Sequence, residues 1–103
     1  MQISDAEIKI ILDIIKKHVP NCEVWIFGSR YHGTAKESSD LDLVVIGEYK
    51  LSLLQMADLR YAFQESDLLF SVDIIDWNKI SKTFQSAISK GHKVIYTPNS
   101  LYI

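Results

Sequence analysis

Two aspartates at the start of one predicted strand carry the most informative chemistry in this sequence. Residues 40–46 read Asp-Leu-Asp-Leu-Val-Val-Ile. Because side chains alternate along a strand, Asp40 and Asp42 share a face and lie roughly 7 Å apart, at about 3.3 Å per residue. Carboxylates this close oppose each other's charge, so the pair either raises one pKa or binds a cation. Mg²⁺ is the expected cation because it prefers oxygen ligands and commonly joins carboxylates to substrate phosphates. The alternative is a solvated strand end, with Asp40 capping a loop.

A third acid lies inside another apolar run, Phe-Ser-Val-Asp-Ile-Ile over residues 70–75. An unpaired buried carboxylate costs free energy, so Asp73 is expected to meet a metal, a cation or a proton. We therefore expect it to supply the third carboxylate of the same site.

A polar segment with phosphate-binding character follows the apolar run of residues 24–27. It begins Gly28-Ser29-Arg30. A glycine lets the backbone approach a ligand closely, and successive amides can form an anion-binding concavity. Ser29 adds a hydroxyl donor, and the planar guanidinium of Arg30 suits phosphate oxygens. Gly-Ser alone is common in turns, so this segment indicates a phosphate-binding site only in combination with the aspartates.

The elements that must position these residues follow the order α-β-loop-β-α-β-α. Ser4 and Glu7 form a predicted capping box at the start of the first helix, which ends before Pro20. The other predicted elements are strands at 24–27, 40–46 and 69–75, a helix at 52–65, and a helix from Asn78 to Lys90. Residues 93–96 are left open between a strand and a helical extension. This order predicts an α/β (α+β) fold, with helices packed on a mixed β-sheet.

Two details of the helices are also predicted. In the helix at 52–65, the residues expected to be buried are Leu53, Leu54, Ala57, Tyr61 and Ala62. In the last helix, Asn78 is expected to be the N-cap.

Composition bounds the class of protein. A chain of 103 residues has room for one hydrophobic core, so residues 1–103 are expected to form a single domain. The net charge of −2 gives no global attraction to nucleic acid, so no strong nucleic-acid binding is expected. One cysteine excludes an internal disulfide. No apolar stretch is long enough for a membrane span, and the polar N-terminus does not resemble a signal peptide. A cytoplasmic location is predicted.

Taken together, the motifs resemble the DNA polymerase β-like nucleotidyltransferase superfamily. Gly28-Ser29 is followed by ten residues and then by Asp40-Leu41-Asp42, and Asp73 takes the position of the third aspartate. The resemblance implies a single nucleotidyltransferase-type catalytic domain that binds a nucleoside triphosphate and two divalent ions, Mg²⁺ or alternatively Mn²⁺. It implies catalytic and metal-binding roles for Asp40, Asp42 and Asp73, and nucleotide binding by Gly28, Ser29 and Arg30.

More narrowly, the chain resembles the minimal nucleotidyltransferases, the antitoxin members of HEPN/MNT pairs. That resemblance implies transfer of AMP from ATP to a tyrosine of a helical HEPN-type toxin, which silences the toxin. Two alternatives stay open: a non-catalytic antitoxin that neutralises its partner by complex formation, and a transferase whose acceptor is a small molecule or RNA. A homo-oligomer and docking through the apolar end at residues 100–103 are also left open.

Overall fold

A computed structural model describes residues 2–98 of the chain. The apolar segment at residues 100–103 lies outside this described range. The helices and strands are, in order, α1 (Asp5–His18), β1 (Glu23–Phe27), α2 (Ser29–His32), β2 (Leu41–Ile46), α3 (Leu53–Gln64), β3 (Val72–Asp76), a 3₁₀ turn (Trp77–Lys79), α4 (Lys82–Ser89) and β4 (Lys93–Tyr96). Within the described residues, no helix is long and apolar enough to cross a membrane.

The four strands form one mixed sheet in the order β3-β2-β1-β4. β1 pairs antiparallel with β2 and with β4, whereas β2 and β3 run parallel. The predicted mixed sheet is confirmed, and residues 93–96 form a strand. β2 begins one residue later than predicted, so Asp40 lies just ahead of it. β3 begins at Val72 instead of residue 69, because the preceding residues are unpaired until Ser71 accepts a hydrogen bond from the Leu41 N–H (2.9 Å).

The hydrophobic core lies between one face of the sheet and the helices α1 and α3. Alternate strand residues such as Val24, Ile26 and Leu43 point into it and are at most 1% exposed. They pack with Ile11 and Ile15 of α1 and with apolar residues of α3. The opposite face of the sheet carries the other strand residues, because side chains alternate, and α4 covers part of it. This division leaves the second face for polar chemistry.

Helix capping confirms one sequence prediction and corrects another. Ser4 and Glu7 form the predicted capping box: the Ser4 N–H donates to the Glu7 carboxylate (2.8 Å), and the Glu7 N–H donates to the Ser4 hydroxyl (3.2 Å). The predicted Asn78 cap is wrong. α4 begins after the 3₁₀ turn, and its N-cap is Ser81, whose hydroxyl accepts from the Phe84 N–H. Asn78 instead donates its side-chain amide to the Gly47 carbonyl (2.9 Å).

The buried face of α3 differs from the predicted one. Its buried residues are Met56, Leu59 and Phe63. The residues that were expected to be buried are exposed (Leu53 84%, Leu54 70% and Tyr61 63%, with Ala57 also exposed), or half-buried in the case of Ala62. The prediction failed because α3 is apolar on two faces, and periodicity alone does not say which of the two meets the sheet.

Candidate active site

The parallel pairing of β2 with β3 places two of the predicted catalytic carboxylates side by side. Asp42 and Asp73 are register partners across the pair, and neighbouring strands lie about 4.8 Å apart. Asp40 lies just ahead of β2 and is exposed, as is Asp73, whereas Asp42 is half-buried. The structure therefore places the three aspartates where β2 and β3 begin, on the face not covered by α1 and α3, with Asp42 and Asp73 directly side by side.

The charge of these carboxylates is not neutralised within the described part of the chain. Burial, followed by the neighbouring charges of Asp73 and then Asp40, raises the pKa of the Asp42 carboxyl above its ordinary value. The ion pair found in residues 2–98 joins Lys9 to Asp13, on the surface of α1. Converging carboxylates without a cationic side chain are a donor set that suits a hard divalent ion.

The carboxylates do not form a complete metal cage by themselves. Over residues 2–98, no three acidic, histidine or cysteine side chains are close enough to enclose an ion. Mg²⁺ characteristically takes one or two carboxylates and completes its shell with water and substrate phosphates. The arrangement therefore fits an ion that arrives with a nucleotide better than a permanent structural metal.

Position 28 requires a glycine because the Asp42 carboxylate lies against its backbone. Its backbone has φ +78°, and a Cβ at this position would overlap the Asp42 carboxylate. Gly28 follows directly after β1 and is the N-cap of the short helix α2, whose first residue is Ser29. The first amides of a helix lack intrahelical partners, so this turn presents N–H groups beside the carboxylates. Gly28 therefore lies against Asp42, and Ser29 follows it as the first residue of α2.

Arg30, which was predicted to bind the nucleotide, has its guanidinium buried and bonded to backbone carbonyls in this structure. Only 7% of it is exposed, and its guanidinium lies 4.0 Å above the ring of Phe70. Its Nε and Nη2 donate to the Ser39 carbonyl (3.1 and 2.8 Å), Nη2 also donates to the Glu37 carbonyl (3.1 Å), and Nη1 donates to the Gln2 carbonyl (3.2 Å). Arg30 thus holds the loop that leads into Asp40. A guanidinium fits carbonyl oxygens as well as phosphate oxygens, so residue type alone did not distinguish the two roles.

Aromatic side chains occupy the same sheet face as the aspartates. Trp25 stacks on His92 with 3.8 Å between ring centroids and meets Trp77 edge to face. Phe27 is the register partner of Asp42 and contacts Phe84 of α4 edge to face, at 6.1 Å between centroids. The alternation of Trp25 and Phe27 in β1 was the sequence signal for this layer. These aromatic side chains cover this face of the sheet over β1, whereas Asp73 on β3 is exposed.

Asp76 plays no part in the carboxylate group although it is close in sequence. It is 3% exposed and points to the opposite side of β3. Its carboxylate accepts from the Leu51 N–H (2.7 Å) and the Asn78 N–H (2.9 Å). Asp76 therefore fixes the connection before α3, through Leu51, and caps the 3₁₀ turn.

The aspartates lie on an open surface. Two depressions of about 450 Å³ are lined by other residues, one around Tyr49 and one around Leu69. A nucleotide held by metal and backbone amides does not need a deep pocket, whereas orienting an acceptor on such an open surface does need further contacts.

The fold and the site together define a nucleotidyltransferase. Residues 9–101 match the family described as Polymerase beta, Nucleotidyltransferase, and the chain belongs to that family. Nucleotidyltransferases of this family generally use divalent metal ions.

The chain is also similar to individual proteins, one in sequence and two in structure. The chain is 43% identical over 95 residues to the probable protein adenylyltransferase MntA of Haemophilus influenzae, covering 92% of this chain and 83% of the relative. A crystal structure of a toxin–antitoxin with AMP-PNP has the same fold, with a TM-score of 0.76 and 22% identity over 89% of this chain and 74% of that one. So does an MNT antitoxin in complex with a tri-AMPylated HEPN toxin of Shewanella oneidensis, with a TM-score of 0.69 and 18% identity over 94% of this chain and 73% of that one.

Proposed function

We propose that this protein transfers AMP from ATP to a tyrosine hydroxyl of a HEPN-type toxin and so acts as its antitoxin. The observation that carries the proposal is the register pair of Asp42 and Asp73, with Asp40 beside it and Gly28 making room for the carboxylate. The family membership supports nucleotidyl transfer. The 43% identity to a protein named as an adenylyltransferase supports AMP and a protein acceptor. ATP as substrate is also consistent with the predicted cytoplasmic location.

The three aspartates are proposed to hold Mg²⁺, with Mn²⁺ as the alternative. Asp40 and Asp42 would bind the ion that accompanies the triphosphate, and all three side chains would have to turn towards a second ion when the nucleotide binds. When bound, a pair of such ions stabilises negative charge on the attacking and leaving oxygens of an in-line displacement. The unneutralised charge around Asp42 supports this assignment, because burial and then the charges of Asp73 and Asp40 raise the pKa of its carboxyl, and a bound cation opposes these effects.

Groups of the chain itself are proposed to act on both sides of the α-phosphorus: one set binds the leaving pyrophosphate, and the other receives the proton of the attacking group. The amides and the hydroxyl at Gly28-Ser29 would hold the β- and γ-phosphates and stabilise the departing pyrophosphate. Asp73, which is exposed on the open side, would accept the proton of the attacking tyrosine. A bond forms between the tyrosine oxygen and the α-phosphorus as the bond from that phosphorus to the leaving oxygen breaks.

The test uses purified protein, a purified HEPN-type toxin from the same organism, Mg²⁺ and ATP labelled at the α-phosphate. We expect label on the toxin with the wild-type protein, and loss of at least a thousandfold in rate with Asp42→Asn. Asp13→Asn is the matched control, because Asp13 is an exposed carboxylate on α1. Wild-type turnover by Asp42→Asn would overturn the proposal. Omitting the metal, or replacing Mg²⁺ with Mn²⁺, tests the metal assignment separately.

A second function, neutralisation by complex formation alone, is favoured by one observation, the exposed apolar surface of α3. It predicts that Asp42→Asn still protects cells from the toxin. Protection lost together with the label supports the enzyme. Label found on RNA or on a small molecule, and absent from protein, would support the remaining alternative acceptor.

A further inference from the structure

Gln2, near the start of the described residues, is bonded to the segment that leads to Asp40. Its side-chain amide makes two hydrogen bonds with the backbone of Ala35: Nε2 donates to the Ala35 carbonyl (3.0 Å), and Oε1 accepts from the Ala35 N–H (2.8 Å). The Gln2 N–H donates to the Arg30 carbonyl (2.9 Å), and the Gln2 carbonyl accepts from Arg30 Nη1 (3.2 Å). One residue therefore contacts this segment at two separate places, each through a pair of bonds.

Hydrogen bonds connect both of these places to the residue before Asp40. Arg30 donates from Nε and Nη2 to the Ser39 carbonyl (3.1 and 2.8 Å), and Ser39 immediately precedes Asp40. The residue after the second place, Lys36, donates its N–H to the Ser39 hydroxyl (2.9 Å) and accepts from the Ser39 N–H at its carbonyl (3.0 Å). The contacts of Gln2 therefore reach Asp40 by two routes, and both routes pass through Ser39.

Gln2 is itself held in place by its neighbours in the sequence. The next residue, Ile3, is partly buried and packs against the hydrophobic core, and Ser4 is the N-cap of α1. The loop at residues 33–39 contains no helix or strand, and most of its residues are exposed. Exposed segments of this kind open at a low cost in free energy unless other contacts hold them. Gln2 therefore ties an exposed loop to an element that is fixed on the core.

We propose that Gln2 is a positioning residue for the nucleotide site, because its bonds fix where Asp40 lies relative to the Gly28-Ser29 turn. This inference rests on the proposed function, in which Asp40 helps to hold the ion that accompanies the triphosphate. Asp40 is exposed and lies ahead of β2, so the strand pairing that holds Asp42 does not include it. Without the Gln2 bonds the loop spends less time in the binding geometry, and the apparent affinity falls in proportion to the fraction that remains competent.

The experiment measures how the binding of AMP-PNP to the full chain depends on the Mg²⁺ concentration. Gln2→Met keeps the length of the side chain but removes both bonds to Ala35, whereas Gln2→Glu removes only the donor. Gln55→Met is the matched control, because the Gln55 side chain also bonds to the backbone: it accepts from the Ser52 N–H (2.9 Å) in the capping box of α3. Thermal melting of every variant shows whether it is folded and how much stability it has lost.

We expect Gln2→Met to need about fivefold more Mg²⁺ for half-maximal AMP-PNP binding, an effect of the size expected from losing one or two neutral hydrogen bonds. Gln2→Glu, which serves if Gln2→Met does not fold, should need at least roughly twofold more. Gln55→Met should lower the melting temperature without changing the Mg²⁺ requirement, because its bond lies within the first turn of α3. In an Asp40→Asn background, Gln2→Met should cause no further rise, because Gln2 acts through Asp40.

An unchanged Mg²⁺ requirement in a folded Gln2 variant would overturn the positioning role. So would an equal rise in Gln55→Met, because the effect would then come from lost stability, or a further rise on top of Asp40→Asn, because Gln2 would then act on other groups. Wild-type binding of AMP-PNP that needs no Mg²⁺ would overturn the positioning role and the metal assignment together. Failure of the proposed acceptor looks different. There the Mg²⁺ requirement shifts as expected, but the wild-type protein places no label on the toxin.

Discussion

Replacing Arg30 tests whether this residue binds phosphate, as its residue type suggests, or holds the loop before Asp40, as its contacts indicate. A phosphate ligand would be exposed beside Gly28, whereas Arg30 is 93% buried and bound to the carbonyls of Ser39, Glu37 and Gln2. Arg30→Lys keeps the positive charge but removes the planar fork, and Arg30→Met removes both. A role in phosphate binding depends mainly on the charge, whereas a role in holding the loop depends on the fork.

The expected cost follows from the hydrogen bonds. Those made by a charged donor contribute about 1.5–3 kcal/mol each, and a buried acceptor left without its donor adds a penalty. Lysine is expected to keep no more than half of the four contacts, so Arg30→Lys should lower the free energy of unfolding by about 3 kcal/mol. Arg30→Met, which loses all four, should lower it by about 6 kcal/mol. For a domain of this size, either loss lowers the melting temperature by roughly 10 °C or more.

Urea unfolding followed by circular dichroism measures this cost, and AMP-PNP titration at a temperature where every variant is folded measures nucleotide affinity. Arg60→Met is the matched control, because Arg60 is exposed and makes one long hydrogen bond, 3.4 Å to the Ile74 carbonyl. Wild-type stability of Arg30→Met together with a tenfold loss of AMP-PNP affinity would refute the structural role and restore the phosphate role.

Three further predictions concern single positions. Because burial and its neighbours raise the pKa of Asp42, the folded state holds that proton more tightly than the unfolded chain. Metal-free protein should therefore lose stability as pH rises from about 3.8 through the raised value, and Asp42→Asn should remove that loss; identical pH profiles of unfolding would contradict this. Gly28→Ala should destabilise by about 1–2 kcal/mol and abolish transfer, because its Cβ displaces the Asp42 carboxylate; wild-type turnover would contradict it. Asp76→Ala should cost about 2–3 kcal/mol in urea unfolding, because the Leu51 and Asn78 amides lose their acceptor, whereas an unchanged midpoint would show that water replaces it.

Local signals in the sequence predicted the local features of the structure. The Ser4–Glu7 capping box depends on residues three apart, and alternation within one strand identified the face of Asp42. The spacing between Gly28 and Asp40 predicted a common site without describing its contacts. The overlap that makes Gly28 necessary arises between neighbouring strands, so it appears only in the structure.

The features that the sequence did not predict depend on contacts with distant parts of the chain. Arg30 has donors that suit either phosphate or carbonyl oxygens; in the structure the carbonyls of Gln2, Glu37 and Ser39 accept from them, and its phosphate role stays a prediction. α3 offers apolar residues on two sides, and the position of the sheet decided which side is buried. The cap of α4 moved from Asn78 to Ser81 because Asp76 already caps the 3₁₀ turn.

The parallel pairing of β2 with β3 also has a consequence for how the protein matures. Asp42 and Asp73 become neighbours only after the intervening chain has formed α3 and crossed back, and non-local pairings of this kind form late in folding. A growing chain thus completes its carboxylate group only once β3 has left the ribosome and paired. Stopped-flow refolding should show AMP-PNP binding in the last folding phase, whereas binding in an earlier phase would mean that the site assembles before the sheet. Under the proposed function, a partly made chain is then inactive as an enzyme, and protection from the toxin begins only when β3 has paired with β2.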